Sequence, residues 1–315
     1  MLLAGSRNVA GKLTTRRWRS YLQTFIIMVW HKYSPAILTL LVFLLAQGLG
    51  TLLLLGVAIL TSPEFKAAVQ AYISGETQGL PLLETLSVST LSIALMVVDI
   101  LAVLACYFFL RNIRFVTAND IASIRWRPGL IGVAAGILGA ISVSVFTEKV
   151  PLPDVVLQMS LSMAHDFWGL LTLVIIGPIT EELLFREAIE GEMLRRGASP
   201  WAAIITSAAA FGIAHLNLAQ GLYACPLAII FGIIYYKTGN IVLTSLLHIL
   251  NNGIVALQLY TLDNGIEDLS YAELLGGPTR AYALMVLCGI ICLVLIRVFC
   301  NHYPINEKLR KMVHH

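Results

Sequence analysis

Eight segments of this chain are long and apolar enough to cross a lipid bilayer, and they leave little sequence for any other kind of structure. A helix needs about 20 apolar residues to span the hydrocarbon core. Only 12% of the residues are charged, against about 25% in an ordinary soluble domain. The sequence therefore predicts one all-α, polytopic membrane domain over residues 1–315. The predicted spans, numbered in this order, are 35–60, 86–110, 129–147, 167–190, 201–217, 221–237, 241–258 and 281–300.

The lysines and arginines predict how these spans are oriented. With the N-terminus in the cytoplasm, all but three of the 21 basic residues lie in or beside cytoplasmic segments, the exceptions being Lys66, Lys149 and Arg280. This distribution follows the positive-inside rule. We therefore predict both termini in the cytoplasm, and the short loops favour the inner membrane of a bacterium. Residues 21–31 are apolar but short, and we expect a separate interfacial helix that leads into the first span.

The sequence lacks the motifs that indicate nucleotide-binding or zinc-finger proteins. There is no Gly-rich phosphate-binding motif and no Cys-x-x-Cys pair, so neither a nucleotide site nor a zinc finger is expected. The basic N-terminal segment is expected to stay in place as an anchor at the lipid surface rather than to bind nucleic acid. The cysteines lie in or at the ends of apolar helices, where we expect free thiols. They are Cys106, Cys225, Cys288, Cys292 and Cys300.

Two glutamates and an arginine, Glu181, Glu182 and Arg186, stand well inside span four, and Glu187 and Glu190 follow towards its end. Such groups cost about 2.5–3.5 kcal/mol each on insertion scales, and at membrane depth they suggest a functional site. The two glutamates point about 100° apart on a helix, so one can face a reacting centre while the other pairs with Arg186 at i+4. A salt-bridged helix end at the membrane interface is the alternative. Gly177 and Pro178 would kink the span and free a backbone carbonyl, which helps to open a watered cavity.

Two histidines and an asparagine supply the remaining polar groups. His215 ends span five, while His248 and Asn252 are spaced i, i+4 on one face of span seven. A turn near residue 198 would place His215 opposite Glu181. His248 lies nearer the start of its helix, so a tilt or a cavity must bring it to the same depth. An imidazole and an amide on one face could donate to an oxyanion, or they could simply be hydrogen-bonded groups of the helix core.

The order of these motifs resembles a known family. Glu-Glu-x-x-x-Arg at 181–186, Phe-x-x-x-His at 211–215 and His-x-x-x-Asn at 248–252 are the pattern of the CPBP intramembrane proteases. That family includes the type II CAAX prenyl endopeptidases and the bacterial lysostaphin-resistance and bacteriocin-immunity (Abi) proteins. The resemblance covers residues 165–258, the predicted catalytic core, and places the site on helices 4, 5 and 7.

The resemblance also implies a role for each residue of the motifs. Glu181 is similar to the base that activates water, and His215 to a residue that holds that water or a metal. His248 and Asn252 are similar to groups that stabilise a tetrahedral oxyanion.

The resemblance extends to three supporting residues and fails at one position. The resemblance implies that Glu182 and Arg186 support the site and that Phe211 packs beside it. Bacterial members usually have glycine after the arginine, and this chain has Glu187. We expect its bulk and charge to lie beside the site and to affect the fit of a substrate.

The need for a metal is open at this point. Two histidines and a glutamate could bind zinc and leave one position free. The chain has no His-Glu-x-x-His motif, and the family has been described both as metalloproteases and as metal-independent glutamate proteases. We expect direct activation of water by Glu181; if zinc is used, the ligands would be Glu181, His215 and His248.

The sequence therefore predicts an intramembrane endopeptidase that hydrolyses a peptide bond near the cytoplasmic face of the membrane. Its partners would be the lipid bilayer and a peptide or membrane-protein substrate. One alternative is a non-proteolytic scaffold or immunity-type protein that binds through the same cavity. Another is a transporter with Asp99 in a proton relay, although a helix-to-helix hydrogen bond is the simpler role for that residue. The substrate and the oligomeric state are not indicated.

Overall fold

The structure is a computed structural model that describes residues 4–76, 85–263 and 270–303. Throughout these ranges the chain is helical, with turns and short loops but no strand. The helices are α1 Ala4–Thr61, α2 Pro63–Ile73, α3 Val88–Leu110, α4 Ala118–Ala122, α5 Trp126–Thr147, α6 Leu157–Ala164, α7 Phe167–Arg195, α8 Pro200–Ala214, α9 Leu218–Thr238, α10 Ile241–Asp263, α11 Tyr271–Leu274 and α12 Pro278–His302.

Seven helices of the described part are long and apolar enough to cross a membrane: α1, α3, α5, α7, α9, α10 and α12. The chain is therefore an integral, multi-pass, all-α membrane protein, as predicted. The fifth predicted span is present as α8, which has 15 residues and is roughly 22 Å long. The separate interfacial helix expected at 21–31 is wrong, because these residues continue without a break into the rest of α1.

Two hydrogen bonds between segments distant in sequence define one end of the bundle. The guanidinium of Arg196, just after α7, donates to the carbonyl of His31 within α1 at 3.2 Å. The backbone N–H of Arg125, just before α5, donates to the hydroxyl of Tyr303 after α12 at 3.1 Å. All four residues belong to segments that the charge distribution assigned to the cytoplasmic side.

A second set of contacts defines the opposite end. Ser89 at the start of α3 donates to Asp166 before α7 at 2.6 Å, and Asn217 before α9 donates to Asp154 at 2.6 Å. The helices therefore alternate in direction as eight crossings require, with α8 as one of them. Which end faces the cytoplasm stays a prediction. The basic residues Lys308, Arg310 and Lys311, on which it partly depends, lie outside the described residues.

Small residues on α5 bring α10 and α12 close to the centre of the bundle. A Cβ atom at Gly136 would lie 2.7 Å from the side chain of Leu247, and one at Gly132 would lie 3.2 Å from the ring of Phe299. Leu247 immediately precedes His248, so this packing sets the position of α10 against α7. These close contacts lie beside the predicted site.

Candidate active site

The helix that carries the two glutamates is irregular just before them. In its π-helical segment the N–H of Gly177 bonds to the carbonyl of Thr172, five residues back. The same spacing would pair Leu173 with Pro178, which has no N–H. The Leu173 carbonyl instead accepts the side-chain amide of Asn252 at 3.0 Å. The carbonyl that Gly177-Pro178 was predicted to free is therefore that of Leu173, and it orients Asn252.

The His248 ring lies between the two adjacent glutamates. Its Nδ1 atom is 3.0 Å from Oε1 of Glu182, and its Nε2 atom is 3.5 Å from Oε2 of Glu181. Glu182 is fully buried, whereas the side chain of Glu181 is 26% exposed. Because the Nδ1–H donates to the buried carboxylate, Nε2 is directed at the more open one. One glutamate supports the centre and the other remains accessible.

Arg186 completes a buried ion pair one turn after Glu182. Its Nε lies 3.3 Å from Oε2 of Glu182, and both side chains have no exposed area. The guanidinium also donates to the Ser207 hydroxyl at 3.1 Å and lies over the rings of Phe211 and Phe231, at 5.2 and 5.8 Å. These contacts compensate a charge that burial would otherwise penalise. The predicted i,i+4 pair is present, and Phe211 contacts the cation in addition to packing.

His215 approaches this centre from the end of α8. Its Nδ1 is 2.8 Å from the carbonyl of Phe211. The Phe211 ring contacts both imidazoles, with centroids 4.8 Å from His215 and 5.7 Å from His248. The hairpin of α7 and α8 thus brings His215 to the same region as Glu181, although no hydrogen bond joins these two described residues.

The predicted zinc set does not fit this arrangement. Within the described ranges, no three His, Cys, Asp or Glu side chains are grouped so that they could hold a metal ion. Glu181 and His248 are in contact, and the Phe211 ring contacts both His248 and His215. The metal role of Glu181, His215 and His248 stays a prediction that this arrangement does not support.

The depth of His248 has a simple structural cause. Asn240, in the turn before α10, is 3% exposed, and its amide donates to the carbonyl of Asp120 in α4 at 2.5 Å. The short helix α4 therefore covers the start of α10, which begins inside the bundle. This explains how a residue only about 10 Å along its helix reaches the glutamates near the middle of α7.

Glu187, the departure from the family pattern, turns away from the reacting centre. Its carboxylate forms an ion pair with Arg195 at 2.7 Å and accepts a short hydrogen bond from the buried hydroxyl of Tyr235. The expectation that Glu187 adds charge beside the site is therefore wrong. Tyr235 lies 48 residues away in sequence, so no local pattern could have indicated this contact.

Two further acids, Glu190 and Asp99, are buried in the bundle. Glu190 is fully buried, and neither of its carboxyl oxygens has a hydrogen-bond partner among the described residues. Its spacing of four from Arg186 was the one available signal. Asp99 is 7% exposed and accepts the side-chain amide of Gln47 at 2.6 Å. The helix-to-helix hydrogen bond considered for Asp99 is thus present.

The described site therefore gathers the buried side chains of Glu182, Arg186 and His248 and the part-buried Asn252 around one more accessible carboxylate, that of Glu181. Residues 163–254 match the model of the family described as Type II CAAX prenyl endopeptidase Rce1-like. The match falls on the segment whose motifs resemble the CPBP family.

A second comparison covers much the same segment. Over 97 residues, 30% of this chain, the sequence is 32% identical to the protein described as "Putative membrane peptidase YdiL" of Bacillus subtilis (strain 168). The aligned segment spans 39% of that relative. No solved structure matches the chain significantly. Both matches therefore cover only part of the chain.

Proposed function

We propose that this protein is an intramembrane endopeptidase in which Glu181 activates a water molecule. The observation that carries the proposal is the arrangement of the two glutamates around His248. Glu182 is buried and holds one ring nitrogen at 3.0 Å, while Glu181 is accessible and faces the other at 3.5 Å. A positioned carboxylate with access to water is the minimum that general-base hydrolysis requires.

The reaction would proceed in two steps. Glu181 takes a proton from water while the water oxygen bonds to the carbonyl carbon of the peptide, which gives a tetrahedral oxyanion. The C–N bond then breaks, and the proton held by Glu181 passes to the departing nitrogen. The products are a carboxylic acid and an amine, so one water molecule is consumed and the base is regenerated.

His248 and Asn252 would stabilise the oxyanion. In its imidazolium form His248 can donate from both nitrogens, with Nδ1–H directed to Glu182 and Nε2–H to the oxyanion. The Asn252 amide uses one hydrogen on the Leu173 carbonyl, and its second hydrogen remains for the oxyanion. Donors held in place before the reaction are the largest single source of rate in many hydrolases.

His215 is proposed to hold the attacking water. With Nδ1 donating to the Phe211 carbonyl, the neutral ring keeps a lone pair on Nε2. That nitrogen can accept a hydrogen bond from water. This role uses His215 without a metal.

The surroundings of the site support an apolar substrate. A groove of about 490 Å³ lies between the first half of α7 and the second half of α10, lined by residues such as Val174, Ile175, Gly253 and Leu257. It begins one residue beyond Asn252, and its lining is apolar. We propose that an apolar peptide segment of a membrane-embedded substrate lies there. The cytoplasmic orientation of the termini and the bacterial inner membrane belong to the same proposal.

The test is cleavage of a library of internally quenched fluorogenic peptides by the purified protein in detergent. Wild type is compared with Glu181→Ala and Glu181→Gln, and with Glu64→Gln as a matched control, because Glu64 is exposed at the start of α2. Cleavage by wild type and the control, lost in both Glu181 variants, supports the proposal. Cleavage by the Glu181 variants, or none by wild type, contradicts it.

A chelator added to the same assay distinguishes metal-independent hydrolysis by a glutamate from hydrolysis that needs a metal. We expect activity to persist after dialysis against a chelator. A loss of activity that added zinc restores would show that a metal is used.

The scaffold alternative drew its support from Glu187, and that residue pairs with Arg195 instead of lining the site.

A further inference from the structure

Helices α3 and α7 run side by side in the same direction, and two contacts define their register. The Thr172 hydroxyl donates to the carbonyl of Ser92 at 3.2 Å, an offset of 80 residues. Nearer the other end, the Asn112 amide donates to the carbonyl of Ala188 at 3.2 Å, an offset of 76. Asp99 lies on α3 between these two contacts.

The register places Asp99 close to the reacting carboxylate. Offsets of 76 to 80 set Asp99 level with residues 175–179 of α7, which is roughly 3–9 Å along the helix axis from Glu181. The helices are in direct contact there, since α3 packs against the Gly177–Glu182 turn.

The Asp99 carboxyl group is also held in a fixed position. Only 7% of the residue is exposed, and one oxygen accepts the amide of Gln47 from α1 at 2.6 Å. The charged residues around Glu181 are then Asp99 on the packed helix α3, His248 on α10, and Glu182 and Arg186 on its own helix. Of these residues, only Asp99 lies on α3.

We propose that Asp99, held by Gln47, is a positioning residue whose negative charge promotes proton transfer from water to Glu181. This inference rests on the proposed function and deepens it. Two carboxylates in a site of low dielectric repel each other, and the repulsion is relieved when one of them takes up a proton. The ionised form of Asp99 therefore favours the step in which Glu181 becomes protonated.

Two substitutions distinguish this electrostatic role from that of a helix clamp, in which the Gln47–Asp99 hydrogen bond only holds α1 against α3. Asp99→Asn keeps an oxygen that can accept from Gln47 and removes the charge. Gln47→Leu removes the donor and keeps the charge. A clamp predicts that Gln47→Leu is the more harmful change and that Asp99→Asn resembles wild type. The electrostatic role predicts the reverse for catalysis.

The kinetic experiment uses the full-length protein and the fluorogenic peptides. We expect Asp99→Asn to lower kcat by about tenfold, which corresponds to about one unit of proton affinity at Glu181, with KM within about twofold of wild type. The acid limb of its pH–rate profile moves to lower pH, and Asp99→Glu regains part of the rate. An Asp99→Asn protein with wild-type kcat and pH profile overturns the proposal.

An infrared titration tests the same coupling without any substrate. The carboxyl band of Glu181 is identified as the band that Glu181→Gln removes, and its titration is followed in wild type and Asp99→Asn. A midpoint at lower pH in the variant supports the coupling; an unchanged midpoint overturns it. Because this readout needs no cleavage, failure of the proposed protease activity and failure of this inference are distinguishable.

Discussion

The Nδ1 atom of His248 lies 3.0 Å from the Oε1 atom of Glu182, a residue 66 positions earlier in the chain. Glu182 is at the same time paired with Arg186 on its own helix. A carboxylate that accepts from an imidazole N–H determines the tautomer and the direction of the ring. The buried glutamate therefore links the charge pair within α7 to the catalytic geometry between α7 and α10.

Substitutions of Glu182 and Arg186 should have strongly non-additive effects on the free energy of unfolding. Arg186→Met leaves the buried Glu182 carboxylate without its cation, and we expect a loss of about 3–5 kcal/mol. Glu182→Gln in the same protein should recover part of it, because the uncompensated charge is then gone. A double-mutant cycle measured by unfolding in detergent checks this, and additive effects of the two substitutions would contradict the pairing.

Glu187→Gly tests whether Glu187, the departure from the family pattern, affects the stability of the protein or its binding of substrate. Since Glu187 contacts Arg195 and Tyr235, we expect the variant to lose roughly 2–4 kcal/mol of stability while KM changes less than about twofold. Thermal unfolding and steady-state kinetics measure the two effects. Tyr235→Phe is the control, because it removes one hydrogen bond and should cost about 1–3 kcal/mol. A large change in KM with unaltered stability would place Glu187 at the substrate instead.

Pro178→Ala tests how Asn252 is oriented. The new N–H at position 178 can donate to the Leu173 carbonyl, which at present accepts the Asn252 amide. We expect kcat to fall severalfold, as Asn252 loses its anchor, while stability is unchanged or rises by about 1 kcal/mol. Asn252→Ala provides the reference for complete loss of the amide. If Pro178→Ala left kcat at the wild-type value, the anchoring role would be wrong.

Asp166, at the membrane boundary before α7, gives a prediction for acid stability. A hydrogen bond from the Ser89 hydroxyl, together with the backbone amide of Gly169, holds the pKa of Asp166 below its ordinary value of 3.8. A lowered pKa means that the folded state favours the carboxylate. Its contribution is therefore complete above pH 3.8 and is lost as the pH falls through the lowered pKa.

Asp166→Ala removes this N-terminal cap of α7 and should cost about 1 kcal/mol near neutral pH. The difference between variant and wild type should shrink as the pH falls below 4, which thermal unfolding at a series of pH values would show. A difference that stayed constant down to pH 2 would mean that the carboxylate is not the stabilising group.

Features that depend on spacing along one helix could be predicted from the sequence. Apolar runs of about 20 residues mark the spans, because a lipid environment leaves the backbone no alternative to a helix. The i,i+4 spacing of Glu182 and Arg186 predicted their ion pair, and the missing N–H of Pro178 predicted a freed carbonyl. In each case the partner lies within a few residues, so the geometry of the helix decides the contact.

Features that depend on how helices are placed against one another were decided by the tertiary structure alone. His248 reaches the glutamates because α4 covers the turn before α10, and the Phe211 ring contacts both of the histidines that the metal alternative would have joined. Glu187 faces Tyr235 because π-helical turns change which side of α7 each residue occupies. Tilt, depth and local winding come from packing over the whole bundle, and no motif of a few residues contains that information.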